Sequence, residues 1–174
     1  MNHKVFVIGG CRSGKSNHAL KLAEKMSGDE KVFIATCVPQ DDEMRQRVTN
    51  HQKKRSRLWK TVEAPLQLPQ AIMENAKMEG VVLVDCLTLW INNLLMENEG
   101  ALSVEHQIPK LVDAVESADG SLVLVSNEVG TGIVPENQLA RVYRDLIGSV
   151  NQAIASSADR VIWVVAGIAV TIKG

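Results

Sequence analysis

An α/β fold with a mostly parallel sheet and helices on both faces is what the sequence predicts, and three observations predict it. Short runs rich in Val and Ile alternate with longer segments of mixed polarity. Such continuous apolar runs suit strands buried on both faces of a parallel sheet. A glycine-rich turn, Gly9-Gly10-Cys11-Arg12-Ser13-Gly14, separates the first apolar run from the first helical segment. Strands alternating with helices imply right-handed crossovers and a doubly wound arrangement. One domain is expected over 1–174, since the chain shows no repeat, no low-complexity tract and no long linker.

In chain order, strands are expected over 4–8, 31–35, 81–85, 122–126, 161–165 and 169–172. Helices are expected over 15–26, 43–54, 66–77, 87–96, 104–117 and 137–157. In the last, Leu139, Val142, Leu146, Val150 and Ile154 form a one-sided apolar stripe, read as core packing. The stretch 97–103 reads as a loop. The two final strands are separated by a few residues around Gly167, too few for a helix. They are expected to form an antiparallel hairpin at one edge of the sheet.

Composition narrows the function classes. Hydrophobic residues make up 45% and charged residues 22%, the balance of an ordinary globular protein. Aromatics are only 3%, which argues against stacking platforms for single-stranded nucleic acid. A formal charge of −1 provides no global field for DNA, RNA or anionic lipid. The apolar run at the N-terminus is too short for a signal peptide, and 161–170 is about half a membrane span. Three cysteines, with no CxxC pair, fit a reducing compartment, so a cytoplasmic protein is expected.

The phosphate loop carries the first chemistry. Gly9, Gly14, Lys15 and Ser16 match G-x-x-x-x-G-K-[ST], with a strand before and a helix after. Glycines let backbone N–H groups point inward around phosphate oxygens. The helix N-terminus faces the anion. Lys15 reaches the β- and γ-phosphates, and Ser16 can ligate Mg²⁺. Asp85 ends the run Val81-Val82-Leu83-Val84. An acid there is placed to hold Mg²⁺, or to cap the helix that begins near Leu87.

A second constellation surrounds His51. On a helix over 43–54, Arg47 and His51 are four apart, and Arg55 follows four later, on one face. Flanking cations attract phosphate and oppose protonation of the imidazole, as a phosphoryl- or nucleotidyl-accepting histidine requires. The same spacing also describes a solvated basic helix face. Cys11, Cys37 and Cys86 fall at the carboxyl edge of the sheet; their spacing matches no zinc pattern, and small packing residues are the better reading. After the fourth expected strand comes Ser126-Asn127-Glu128-Val129-Gly130. There Glu128 can orient a substrate hydroxyl or a metal-bound water, or Asn127 can simply anchor a loop.

The blocks GGCRSGKS, FIATC, DDEMRQRVTNHQKKR, LVDCLTLWINNLL and SNEVGTGIVPENQLAR run in order along nearly the whole chain. Together they resemble the bifunctional adenosylcobinamide kinase / adenosylcobinamide-phosphate guanylyltransferase family. The resemblance implies a RecA-like P-loop NTPase fold, a homotrimer, and a role late in cobalamin assembly. It implies phosphorylation of the aminopropanol hydroxyl of adenosylcobinamide with ATP or GTP. GMP is then transferred from GTP through a GMP-histidine intermediate, giving adenosylcobinamide-GDP and pyrophosphate. By position, His51 is the guanylylated histidine; Lys15, read from the phosphate loop, is the other catalytic residue. Nucleotide contacts fall on Gly9, Gly10, Cys11, Arg12, Ser13, Gly14, Lys15 and Ser16, then on Ala35, Thr36 and Cys37. They continue at Gln52, Lys53, Lys54, Arg55, Glu63 and Asp85, with Mg²⁺ at Ser16 and Asp85. Glu63 suits guanine, since a carboxylate accepts both the ring N–H and the amino group. The family pattern has a histidine immediately before the nucleophile; this chain has Asn50, which hydrogen-bonds but does not titrate. The alternative is a single-function P-loop small-molecule kinase with no covalent nucleotide.

Overall fold

The computed structural model describes residues 3–53, 55, 56, 58–97 and 100–174, with Arg47 and His51 described in backbone only. Lys54, expected at the nucleotide, lies outside the described residues. The elements run β1 (Lys4–Gly9), α1 (Lys15–Lys25), β2 (Glu30–Ala35), α2 (Asp42–Lys53), β3 (Trp59–Glu63), α3 (Leu68–Asn75) and β4 (Gly80–Asp85). They continue with α4 (Leu87–Met96), α5 (Gly100–Glu116), β5 (Ser121–Asn127), α6 (Gln138–Ser157), β6 (Arg160–Val165) and β7 (Ile168–Lys173).

Seven strands form one sheet in the order β3-β2-β4-β5-β1-β6-β7. Every neighbouring pair is parallel except β6 and β7, the antiparallel edge hairpin. Alternation along the strands sends side chains into two cores. Phe6, Ile34, Val82, Val84 and Leu124 face α3, α4, α5 and α6, while Val5, Val7, Leu83 and Val125 face α1. Helices therefore cover both faces, as expected of buried parallel strands. Trp90 anchors the larger core; it is fully buried, and its indole N–H donates to the Leu66 carbonyl at 2.8 Å. Each such side chain contributes about 1.5–3 kcal/mol by leaving water.

Three expectations need correction. β3 was not foreseen: its sequence WKTVE buries only Trp59 fully, as suits a short edge strand. The expected loop over 97–103 is already helical from Gly100, since α5 runs back far enough to bury Val104. The helix expected over 66–77 is shorter, and Asn75 closes it with a side-chain bond to the Ala71 carbonyl at 2.8 Å. Along α6, Leu146, Val150 and Ile154 are buried and Val142 packs against them, but Leu139 is 51% exposed. The first turn of that stripe therefore lies outside the core. Among the described residues no helix is long and apolar enough to cross a membrane.

Candidate functional site

The carboxyl edge of the sheet gathers the chemistry, because β1, β2, β4 and β5 run parallel and end together. Between β1 and α1 the loop turns tightly. Gly14 sits at φ 95° and Arg12 at φ 54°, both in the left-handed region. Gly9 must be glycine for another reason: a Cβ there would stand 2.5 Å from the Val164 carbonyl oxygen. The Gly167 N–H donates to the Ser13 carbonyl at 2.9 Å, so the β6–β7 turn braces the loop. Lys15 is buried, and its ammonium lies across the loop, 3.2 Å from the Gly10 carbonyl oxygen.

Ser16 and Asp85 meet from different elements. The Ser16 hydroxyl donates to an Asp85 carboxylate oxygen at 3.4 Å. A hydroxyl and a carboxylate side by side at a phosphate loop are hard oxygen ligands, the donor set Mg²⁺ takes. These residues fit the cation. Among the described residues no group of three or more His, Cys, Asp or Glu is arranged to hold a metal. All three are free: Cys11 exposed, Cys37 half-buried and Cys86 buried.

A cleft of about 280 Å³ opens beside this pair. The phosphate loop provides Lys15 and Ser16, and the strand ends provide Ala35, Glu63, Asp85 and Asn127. Helix α2 and the segment after it add Met44, Val48, Gln52 and Arg55. The Arg55 guanidinium stacks 3.7 Å over the Phe33 ring and donates to the Thr61 hydroxyl at 3.2 Å. Burial lowers the Arg55 pKa, and the nearby Asp85 charge opposes that; the group remains a cation at neutral pH. A cation held on an aromatic face is fixed in position before any ligand binds.

Other residues shape the floor. The Thr36 hydroxyl is buried; it donates to the Cys86 carbonyl at 2.7 Å and accepts from the Cys86 N–H at 2.9 Å. Asn93 reaches up from α4 to the Thr36 and Pro65 carbonyls at 2.8 and 3.0 Å. Thr36 thus ties the ends of β2 and β4 together through its side chain. Burial, then the Asp85 charge, pushes the Cys86 thiol up to about 11 and raises Cys37 as well. Asn127 donates to the Thr88 hydroxyl at 2.8 Å, and Asn151 of α6 donates to the Asn127 carbonyl at 3.1 Å.

Several expected site residues therefore share the cleft: Lys15, Ser16, Ala35, Cys37, Gln52, Arg55, Glu63 and Asp85. Gly10, Cys11, Arg12 and Ser13 instead line a neighbouring cavity with Glu128. Lys53 is an exposed residue at the end of α2, and the His51 backbone lies in the same helix, three residues after Val48. Sequence reasoning missed Phe33, Met44, Val48 and Thr61 as cleft residues. They carry no motif; only the strand register and the α2 spacing, with Met44, Val48 and Gln52 four apart, bring them together.

Comparison with known proteins identifies the family. The family model described as cobinamide kinase / cobinamide phosphate guanyltransferase matches residues 5–172. The bifunctional adenosylcobalamin biosynthesis protein CobP of Pseudomonas aeruginosa is 40% identical over 169 residues, covering 97% of this chain and 96% of that protein. CobU of Escherichia coli K12 is 39% identical and CobU of Salmonella typhimurium 40%, each alignment covering 97% of this chain and 99% of the relative. Among solved structures, a Pyrococcus horikoshii protein superposes with a TM-score of 0.57 at 8% identity, covering 99% of this chain and 86% of that one. A type III secretion system ATPase superposes at 0.56 and 11% identity, covering 92% and 50%. Those two likenesses show the fold alone. Matched over nearly its whole length, the chain belongs to the cobinamide kinase / cobinamide phosphate guanyltransferase family.

Proposed function

We propose that this chain carries out both reactions of its family: it phosphorylates the aminopropanol hydroxyl of adenosylcobinamide with ATP or GTP, then transfers GMP from GTP to the phosphate it has made. The observation that carries the reading is the cleft itself. It joins a phosphate loop to Gln52 and Arg55 after α2 and to Glu63 at the end of β3. A kinase needs the loop; selecting a guanine nucleotide and holding it for a covalent step needs the other wall.

Lys15 and Arg55 neutralise phosphate oxygens from two sides as charge develops during transfer. Mg²⁺, held by Ser16 and Asp85, would supply further neutralisation of the phosphates there. Glu63 accepts from the guanine ring N–H and amino group; adenine offers no such pair of donors. In the second reaction a His51 ring nitrogen bonds to the α-phosphorus as the bond to the bridging oxygen breaks. Pyrophosphate leaves with that electron pair. A phosphate oxygen of the substrate then bonds to the same phosphorus, and the nitrogen–phosphorus bond breaks. Because one loop serves both reactions, segment 38–57 brings His51 to it in the second. The protein acts in the cytoplasm, and three copies assemble as the family resemblance implies.

The test is a product analysis. Purified protein is incubated with Mg²⁺, GTP and adenosylcobinamide, and the corrinoids are separated by mass. Adenosylcobinamide phosphate followed by adenosylcobinamide-GDP is the expected result. Accumulation of the phosphate alone would leave a single-function kinase.

A further inference from the structure

Asn127 and Glu128 are consecutive residues at the tip of β5, yet they serve two different cavities. Asn127 lines the nucleotide cleft with Lys15, Ser16 and Asp85. Glu128 lines a second cavity of about 330 Å³ that borders the same loop at Gly10 to Ser13. The loop therefore has a cavity on each border, and one strand tip contributes to both.

The second cavity is built, not incidental. The Glu128 N–H donates to the Gly9 carbonyl at 3.0 Å, which fixes its backbone against the loop. One carboxylate oxygen, Oε1, accepts from the Gly130 N–H at 2.5 Å. Arg144 of α6 holds the far side of that turn, donating to the Gly130 carbonyl and to the Ile133 carbonyl, the latter at 3.0 Å. The Ser13 hydroxyl, on the cavity wall, is buried without a hydrogen-bond partner. Trp163 and Val165 of β6 give the opposite wall an apolar surface.

We propose that this second cavity holds the alcohol-bearing arm of the phosphoryl acceptor, with Glu128 as the general base. The inference rests on the kinase reading above and adds to it a subsite and a residue. An in-line displacement requires the acceptor and the leaving group on opposite sides of the transferred phosphorus. An acceptor sharing the nucleotide cleft would compete with the base and ribose; one entering along the other border of the loop does not. The Glu128 carboxylate takes the hydroxyl proton as that oxygen bonds to the γ-phosphorus. The bond from phosphorus to the bridging oxygen breaks, and the nucleoside diphosphate leaves with the electron pair. Arg12, on the same cavity wall, offsets repulsion between the carboxylate and the triphosphate. The apolar wall suits an aliphatic amino-alcohol arm.

The decisive variant is Glu128→Gln, which keeps an oxygen for the Gly130 N–H and removes only the base. Transfer of γ-label to adenosylcobinamide is expected to fall at least about 100-fold, with acceptor KM changed little. Covalent retention of α-labelled GMP, in which Glu128 has no part, is expected to stay at the unaltered level. A second variant, Thr131→Trp, fills the cavity from its lining and is expected to raise acceptor KM roughly tenfold with nucleotide KM unchanged. Full γ-transfer by Glu128→Gln would overturn the proposal, as would an equal loss of retained GMP, which would mark a structural role. Absence of γ-transfer by the unaltered protein would instead refute the kinase reading itself.

Discussion

The β1–α1 region and the α2–β3 region both deliver residues to the nucleotide cleft, and they are built in opposite ways. β1 has Phe6 and Val7 at 0% exposure, and Ala19 and Ala23 of α1 are equally buried beneath it. None of the described side chains of α2 is fully buried, and β3 buries only Trp59. Few buried apolar contacts mark a segment that opens at low free-energy cost. The fixed half holds what every phosphate reaction needs. In the proposed mechanism the lightly anchored half carries the groups that choose the nucleotide and accept GMP. On that proposal a single loop serves two reactions while the lightly anchored wall facing it changes.

That contrast predicts graded effects. Removing the ammonium in Lys15→Ala strikes the shared half, so both γ-transfer and GMP transfer should fall by about 1000-fold or more in radiolabel assays. A variant that lost only one reaction would break the idea of one loop serving both. Glu63→Gln strikes the selective half alone. It should cut the preference for GTP over ATP as GMP or AMP donor roughly 10- to 100-fold, measured by competition, with γ-transfer from ATP intact.

The smallest effect lies in the floor between the two regions. The folded Cys86 thiol titrates at about 11, above its ordinary value of 9, because burial disfavours the thiolate. The folded pKa is the raised one, so this contribution to stability is full below pH 9 and is lost as pH rises from there to about 11. Denaturant melts of Cys86→Ala should show a shallower loss across that window than the unaltered protein. Equal slopes would assign the alkaline loss to other groups, such as Tyr143, raised to about 12 by burial.

The legibility of the sequence follows the same division. The strands of the sheet interior read clearly, because burial on both faces demands continuous runs such as Val81 to Val84. The phosphate loop read clearly because its residues, Gly9 to Ser16, follow one another in the chain, although Gly9 is also constrained by the Val164 carbonyl of β6. β3 did not, since Lys60, Thr61 and Glu63 leave an edge strand with little apolar signal. The stacking of Arg55 on Phe33 was equally hidden: it joins residues from different elements, and no spacing along the chain encodes it. The two cavities meeting at Asn127 and Glu128 depend on how β5 ends between β4 and β1, which is a property of strand order. Local chemistry was readable; chemistry assembled by topology needed the fold.

In the proposed second reaction the lightly anchored half carries a covalent step. The direct measurement is to incubate the protein with Mg²⁺ and α-labelled GTP, denature it, and count label on the chain. The expected result is retained label that is acid-labile, base-stable and absent in His51→Ala. No retained label on the unaltered protein, or label that survives in His51→Ala, would contradict it.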